Sequence, residues 1–348
     1  MKAKYTILAF ELSFKCPIRC RSCANGDLPQ TDEVSLNDAM KVLDMAAEVP
    51  DIRGVGFAGG EPFLLFEKMV DILNYARRKY GYVGSVSTSC YWASSIEKAR
   101  SMLEKLHRAG LISILVSVDD FHQEFVELQN AGNCIKAAQE LGIACIAQTI
   151  TTRNGRKGED FRRELEKLID AEKVEWIDNP CDPIGRAVYQ VPENDLLLKT
   201  GIGKGECSIL RVLNVWADGS VKPCCGSGLI AKPLTIGNVK EEKLIDIIKR
   251  AECSPLINAL VVWGGPYLLG EILRQEGYGK YLLDEYTSEC HACYHILSND
   301  FIASLLRERL DEKVLELLAA RMIAEEEYGY FEQKPDALYS LPSSIAAC

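Results

Sequence analysis

The run Ala3-Lys4-Tyr5-Thr6-Ile7-Leu8-Ala9-Phe10-Glu11-Leu12-Ser13, with Cys16-Pro17-Ile18-Arg19-Cys20-Arg21-Ser22-Cys23 directly behind it, decides how the chain is read. The first part reads as a β-strand. The second is a C-x3-C-x2-C triplet on a short loop. Three thiolates so spaced suit three irons of a [4Fe–4S] cube and leave the fourth iron open to a substrate or cofactor. A zinc site wants tetrahedral closure, usually from two separated pairs, and no His follows at a fitting distance.

Outward from this strand, strand-like and helix-like stretches alternate. Further strands are expected at Val55–Ala58, Gly84–Ser89, Ile112–Val118, Ile143–Ile150 and Val174–Asn179. Between them lie amphipathic stretches at Ser35–Val49, with Ser35 as a cap, and at Phe66–Tyr80, Ser95–Ala109, Gly132–Leu141 and Glu159–Ala171. Six strands alternating with five helices imply a parallel sheet with right-handed crossovers. The expected fold class is α/β, a partial (β/α)6 TIM-type barrel, with a doubly wound sheet as the other possibility. Either way the site belongs at the C-terminal ends of the strands. Beyond Arg186 the pattern changes. Gly201-Ile202-Gly203-Lys204-Gly205 reads as a linker, and Ala217-Asp218-Gly219 as the turn of a hairpin between Val212–Trp216 and Ser220–Lys222. Helices follow at Glu242–Ala251 and Tyr267–Glu276. Asn299–Glu327 is one long amphipathic region, and Lys334–Cys348 reads as a poorly ordered tail. The expected domains are residues 1–200, 201–298 and a helical extension, 299–348.

The chain has 348 residues and a net charge of −10, so it lacks the basic footprint of a nucleic-acid binder. Its apolar runs are too short to span a bilayer, and its first residues lack the apolar core of a signal peptide. A cytoplasmic location is expected. There the 14 cysteines are not a disulfide framework.

The second expected strand runs into Gly59-Gly60-Glu61-Pro62. Two glycines admit a ligand close to the backbone, and Glu61 can accept from an ammonium group. Gly54-Val55-Gly56-Phe57-Ala58-Gly59 matches G-x-G-x-x-G, yet these glycines lie within a strand and do not open a helix, as a dinucleotide site requires. The cysteine triplet with Gly-Gly-Glu one strand later resembles the radical S-adenosylmethionine (SAM) enzymes. That resemblance implies a SAM-binding [4Fe–4S] cluster on Cys16, Cys20 and Cys23, and a methionine pocket at Gly59, Gly60 and Glu61. It also implies strand-end SAM contacts at Thr88, Ser117, Asp119 and Gln148, although each can equally be a solvated strand end or a cap. His122 is left without a role.

A second cysteine group comprises Cys207, Cys224, Cys225, Cys253, Cys290 and Cys293. A full cluster takes four thiolates, so six cysteines complete one cube and not two. Cys207, Cys224, Cys290 and Cys293 are the expected ligands, the last two forming a C-x2-C pair. A structural zinc could use the same four, and His291 or His295 could replace one. The region resembles the twitch domain, the single-cluster relative of the SPASM domain, and so implies one auxiliary [4Fe–4S] cluster. In an extended segment Cys225 points away from the face that Cys224 presents. A thiol beside a radical site is a good hydrogen-atom donor, whereas the plain reading is a small buried hydrophobe. Cys90 and Cys181 follow strands and are rival thiols.

Tyr91-Trp92, Asp119 to Phe125, Asp218 to Cys225 and Leu273 to Tyr278 resemble the radical SAM peptide epimerases, which turn L-residues of ribosomally made peptides into D-residues. That resemblance implies Cα hydrogen abstraction by a 5′-deoxyadenosyl radical and hydrogen return from Cys225. The implied partners are a peptide substrate and a one-electron reductant such as flavodoxin or ferredoxin, with no nucleic acid and no membrane. The sequence departs from the epimerases at Cys207-Ser208-Ile209-Leu210-Arg211, where an acidic residue is expected. A thioether- or C–C-crosslinking peptide maturase is the first alternative. A non-catalytic zinc or iron–sulfur protein is the second.

Overall fold

A computed structural model describes residues 5–205, 207 and 212–313. Six parallel strands stand in chain order: β1 (Ile7–Ser13), β2 (Gly54–Gly59), β3 (Val83–Thr88), β4 (Leu111–Ser117), β5 (Ala144–Thr151) and β6 (Val174–Pro180). The crossovers carry α1 (Leu36–Ala46), α2 (Phe66–Tyr80), α3 (Ile96–Ala109), a single turn α4 (Asp120–Gln123), α5 (Leu128–Glu140) and α6 (Gly158–Leu165). This is the expected partial (β/α)6 barrel. The expected cap holds, since Ser35 Oγ accepts from the Asp38 amide at 3.0 Å. α5 starts at Leu128, before the expected Gly132. All the glycines of Gly54–Gly59 lie along β2, which removes the dinucleotide reading.

Each strand divides its side chains between two faces. On β1, Leu8, Phe10 and Leu12 join the main core beneath the helices, with Val55 and Phe57 of β2 and Leu43 of α1. Ile7 and Ala9 face the other way and pack on Val212. Glu11 shares their face, because it sits two residues beyond Ala9.

After β6 come α7 (Ala187–Gln190), β7 (Lys199–Thr200), β8 (Val212–Val215), β9 (Ser220–Lys222) and β10 (Gly237–Asn238). β8 pairs parallel with β1, from Ile7↔Val212 to Phe10↔Val215, and β9 runs antiparallel to β8. The hairpin therefore continues the barrel's sheet, in the order β10-β9-β8-β1-β2-β3-β4-β5-β6. α8 (Leu244–Glu252), α9 (Pro255–Val261), α10 (Gly265–Gln275), β11 (Glu285–Tyr286) and α11 (Glu289–Leu297) complete the described elements, and residues 300–313 are helical. They enclose a second apolar core that includes Leu256, Leu260, Leu269, Leu273, Leu297 and Leu306. Neither α9 nor α11 was expected. The expected tail, the end of the amphipathic region and the segment Ser208–Arg211 lie outside the described residues. Among the described residues no single helix is long and apolar enough to cross a membrane.

Candidate functional site

The cysteine triplet hangs from the end of β1 and is fastened by backbone. The Gly60 amide donates to the Ser13 carbonyl at 2.7 Å, and the Glu61 amide to that of Lys15 at 2.9 Å. A Cβ on Gly60 would stand 2.1 Å from the Lys15 oxygen, so only glycine permits this approach. On the other side the Arg186 amide donates to the Cys23 carbonyl at 3.1 Å, and a Cβ on Gly185 would meet the Ala24 oxygen at 2.3 Å. Cys20 is buried, while Cys16 and Cys23 are partly open. Burial pushes the Cys16 thiol up to about 11, and Glu61, Cys20 and Cys23 push the same way. The Cys16 thiol thus resists ionising without a cation beside it, which is the chemistry of a ligand for a positively charged centre.

The end of β2 meets the end of β3 through Glu61. Its carboxylate is buried and accepts four hydrogens: from Thr88 Oγ1 at 2.9 Å, the Ser89 amide at 2.8 Å, Ser89 Oγ at 2.5 Å and the Phe63 amide at 3.2 Å. Burial raises its pKa and these donors oppose the rise. Thr88 also accepts from Trp92 Nε1 and the Cys90 amide. These bonds tie the end of β2 to the end of β3 at the expected methionine-binding motif.

Asp119, fully buried, accepts from the His122 amide and from His122 Nδ1, at 3.0 and 2.9 Å. Burial works against a charged His122, yet Asp119 and the neighbouring Cys20 outweigh it and hold the imidazole well above its usual range. His122, unassigned from sequence, thus joins the cluster loop to the β4 exit. Ser117 and Gln148 are register partners on β4 and β5, both part-exposed. No side-chain hydrogen bond of either is among those described, so they present polar groups at the strand ends.

The second group assembles from separate segments. Cys207 is held by its amide on the Leu260 carbonyl at 2.9 Å. Cys224 follows β9, and its carbonyl accepts from Asn214 Nδ2 at 2.6 Å. Cys290 and Cys293 lie on α11, capped by Ser288. Burial raises all three of Cys224, Cys290 and Cys293, and each is raised further by others of the four. Asp182, just past β6, accepts from Thr287 Oγ1 and Ser288 Oγ at 2.7 and 2.6 Å, which ties the cap of α11 to the barrel. Among the described residues no three His, Cys, Asp or Glu side chains converge as ligands of a single ion do. A cube seats each thiolate on its own iron and takes a wider ring of thiols.

Of the remaining cysteines, Cys253 is exposed. Cys181 is buried with Cys20 and Phe121 beside the cluster loop. Cys90 was expected near the same mouth, but its φ of +62° turns it into the core beneath the helices, against Cys134. Cys225 packs on Ile7, Ala9 and Val212, on the inner face of β1. It is disulfide-bonded in this structure.

Sequence motifs passed over a buried pair on the same inner face. Glu11 is 3% exposed and Lys222 5%. Burial pushes the Glu11 carboxyl up to about 7 and pulls the Lys222 amine down to about 8, and each charge partly offsets the other's shift. Lys222 Nζ donates to the Leu229 carbonyl at 2.8 Å and sits 4.1 Å from the centre of the Trp216 ring. The signal was present: one acid in an otherwise apolar strand.

The model of the Radical SAM superfamily matches residues 10–168, and that of SPASM, an iron–sulfur cluster-binding domain, matches residues 207–260. The chain is similar to the peptide biosynthesis protein YydG of Bacillus subtilis (strain 168), 16% identical over 290 residues that cover 82% of this chain and 90% of the relative. It is 32% identical over 115 residues to the PqqA peptide cyclase of Gluconobacter oxydans (strain 621H), covering 32% of this chain and 30% of the cyclase. A solved structure of anSMEcpe with bound AdoMet and Cp18Cys peptide superposes with a TM-score of 0.51 at 13% identity, over 89% of this chain and 99% of that one. SuiB of Streptococcus suis bound to S-adenosylmethionine gives 0.50 at 16%, over 75% and 68%. At such identities the likeness is one of fold. The first domain implies SAM and a [4Fe–4S] cluster, and the second an auxiliary iron–sulfur cluster; the two thiol sets have the donor chemistry for both. The chain thus carries a radical SAM domain over residues 10–168 and an iron–sulfur cluster-binding domain of the SPASM type over residues 207–260.

Proposed function

We propose that this chain modifies a ribosomally made peptide and that the modification is L-to-D epimerisation. Cys16, Cys20 and Cys23 would hold the SAM cluster, and Cys207, Cys224, Cys290 and Cys293 the auxiliary one. Bound together, SAM and a reduced cluster supply a 5′-deoxyadenosyl radical, with the electron from a carrier such as flavodoxin or ferredoxin. The chain's own residues do the rest. Ser117 and Gln148 would orient the cofactor from the strand ends. Cys225 would give a hydrogen atom to the planar Cα radical from the face opposite the abstraction. The resulting thiyl takes one electron and one proton to return to the thiol, so the peptide's redox state is unchanged. This role needs Cys225 in its reduced form.

The observation that carries the reading is the place of Cys225. It follows Cys224, which this reading makes a cluster ligand, and packs on the inner face of β1. The similarity to YydG, a peptide biosynthesis protein, supports the peptide as substrate. The crosslinking alternative is supported by the local similarity to PqqA peptide cyclases. Gly59-Gly60-Glu61 argues against a non-catalytic iron–sulfur or zinc protein.

The test is co-expression with the short open reading frames beside the gene, in D2O. A thiol proton exchanges with water, so epimerisation adds one deuterium at Cα of each D-residue. Cys225→Ala should still form 5′-deoxyadenosine while D-residues disappear. A peptide lighter by two hydrogens, with no D-residue, moves the assignment to crosslinking. Full epimerisation by Cys225→Ala would falsify the donor role, and Cys181 would then be the next thiol to replace.

A further inference from the structure

Among the described residues the buried carboxylates are Glu11, Glu61 and Asp119. Glu61 accepts from hydroxyls and amides, which carry no charge. The Oε2 of Glu11 has no hydrogen-bond partner among the described residues. Asp119 alone of the three is hydrogen-bonded to a side chain that can be positively charged. His122 Nδ1 lies 2.9 Å from both of its oxygens, and the Ile150 amide donates to Oδ2 at 3.4 Å. Asp119 has no exposed surface, and a buried charge persists only when it is paired. The pair fixes the ring with Nδ1–H donating to the carboxylate. The second ring nitrogen, Nε2, takes no part in it.

What Nε2 meets follows from the docking of α4. This single turn is fastened to the cluster loop on both sides of His122. Phe121 shares a small apolar core with Ile18 and Cys20. Arg21 Nε donates to Glu124 Oε1 at 2.8 Å, and the same guanidinium lies 5.3 Å from the centre of the Phe121 ring. Between these contacts the imidazole meets the Cys20 sulfur. With Nδ1 taken by Asp119, the nitrogen left for Cys20 is Nε2. Carboxylate, imidazole and thiol thus stand in a line from the exit of β4 to the middle cysteine of the triplet.

Such a line has a definite effect on an iron–sulfur centre. A cluster on three thiolates becomes more negative when it takes an electron. An N–H aimed at one of its sulfurs, on a ring paired with a carboxylate, offsets that charge and favours the reduced state. One electron enters from the carrier and no proton moves.

We propose that His122, set by Asp119, donates a hydrogen bond to the Cys20 sulfur when the first cluster is bound, and so raises the reduction potential of that cluster. His122 is a positioning residue, because it acts through Cys20. The proposal rests on the assignment of the cluster to Cys16, Cys20 and Cys23, which the iron content of a variant with all three replaced by Ala tests separately. It holds whether the peptide is epimerised or crosslinked.

The test is a reductive titration of the reconstituted full-length enzyme with dithionite and mediators, followed by electron paramagnetic resonance, without SAM or peptide. The signal absent from the triple alanine variant belongs to the first cluster, and the auxiliary signal is the internal reference. His122→Phe keeps a ring and removes the donor. At the wild-type midpoint its ratio of reduced to oxidised first cluster should fall about ten- to a hundredfold, a downward shift of about 60–120 mV for one electron. The auxiliary signal should titrate as in the wild type. His122→Gln supplies an uncharged donor and should fall between the two. Asp119→Asn, which leaves His122 in place but removes its carboxylate, should lower the potential of the first cluster alone. An unchanged first-cluster midpoint in His122→Phe at full iron content overturns the proposal. So does an equal shift of both signals, which would report a general change in the protein. Loss of the first cluster from both His122→Phe and His122→Gln also overturns it, and would make His122 a brace for the loop.

Discussion

The two cysteine groups are built in opposite ways. The first lies within eight residues, and the barrel backbone grips its loop from both sides, through Gly60 on Lys15 and Arg186 on Cys23. The second is drawn from three distant segments and is held by side-chain burial in the smaller apolar core, with Asp182 as a polar tie to the barrel. The first loop has a shape of its own that a cluster would occupy. The second keeps Cys224, Cys290 and Cys293, three hard-to-ionise thiols, beside Cys207, so a cluster bound there would contribute to its folding free energy.

The largest expected effect separates the two. Replacing Cys16, Cys20 and Cys23 by Ala should reduce SAM cleavage to background and remove one cluster's worth of iron and sulfide, while the melting temperature moves by only a few degrees. Replacing Cys290 and Cys293 should remove the other cluster and lower stability by several kcal/mol, with hydrogen-exchange protection lost first in α9, α10 and α11. Equal destabilisation by the two sets would break the contrast.

A smaller effect tests the backbone grip. Gly60→Ala places a methyl group against the Lys15 carbonyl and should cost about 1–3 kcal/mol, with SAM binding weakened although every cysteine remains. Gly81→Ala is the control. It carries a positive φ of 72° but would meet nothing within 4 Å, so it should lose stability without losing SAM affinity. If the two variants bind SAM alike, the loop is not shaped by Gly60.

The smallest effect concerns pH. Folding raises the Glu11 carboxyl from 4.5 to about 7, so between those values the folded chain binds more protons than the unfolded one. Stability from this group therefore falls as pH rises through that window. The melting-temperature advantage of Glu11→Gln should widen from pH 5 to pH 8. A constant gap would mean that burial of the charge is not its cause.

Most of the barrel was legible because its strands and helices carry their periodicity locally. The six strands fall within a few residues of their expected positions, and Ser35 caps α1 as its chemistry suggests. What escaped depends on distant contacts. α11 was missed because Cys, His and Tyr fill it in place of a periodic apolar stripe. Gly-Gly-Glu was readable as a motif, but the saturation of Glu61 by Thr88 and Ser89 arises only where β2 and β3 lie side by side. Cys90 follows β3 as expected, yet a single left-handed residue reverses its direction. Glu11 was visible as an odd residue in an apolar strand, but its unpaired oxygen could be seen only in three dimensions.

The parallel pairing of β8 with β1 has a consequence for how the molecule is made. β1 leaves the ribosome some 200 residues before residues 212–215, for which one of its hydrogen-bonding edges waits. Until then the strand that leads into the cysteine triplet is an open template for other chains, and the loop closure that ends this is among the longest in the fold. Slow elongation or a holdase bound to β1 should raise the yield of soluble protein more than stabilising substitutions elsewhere in the barrel.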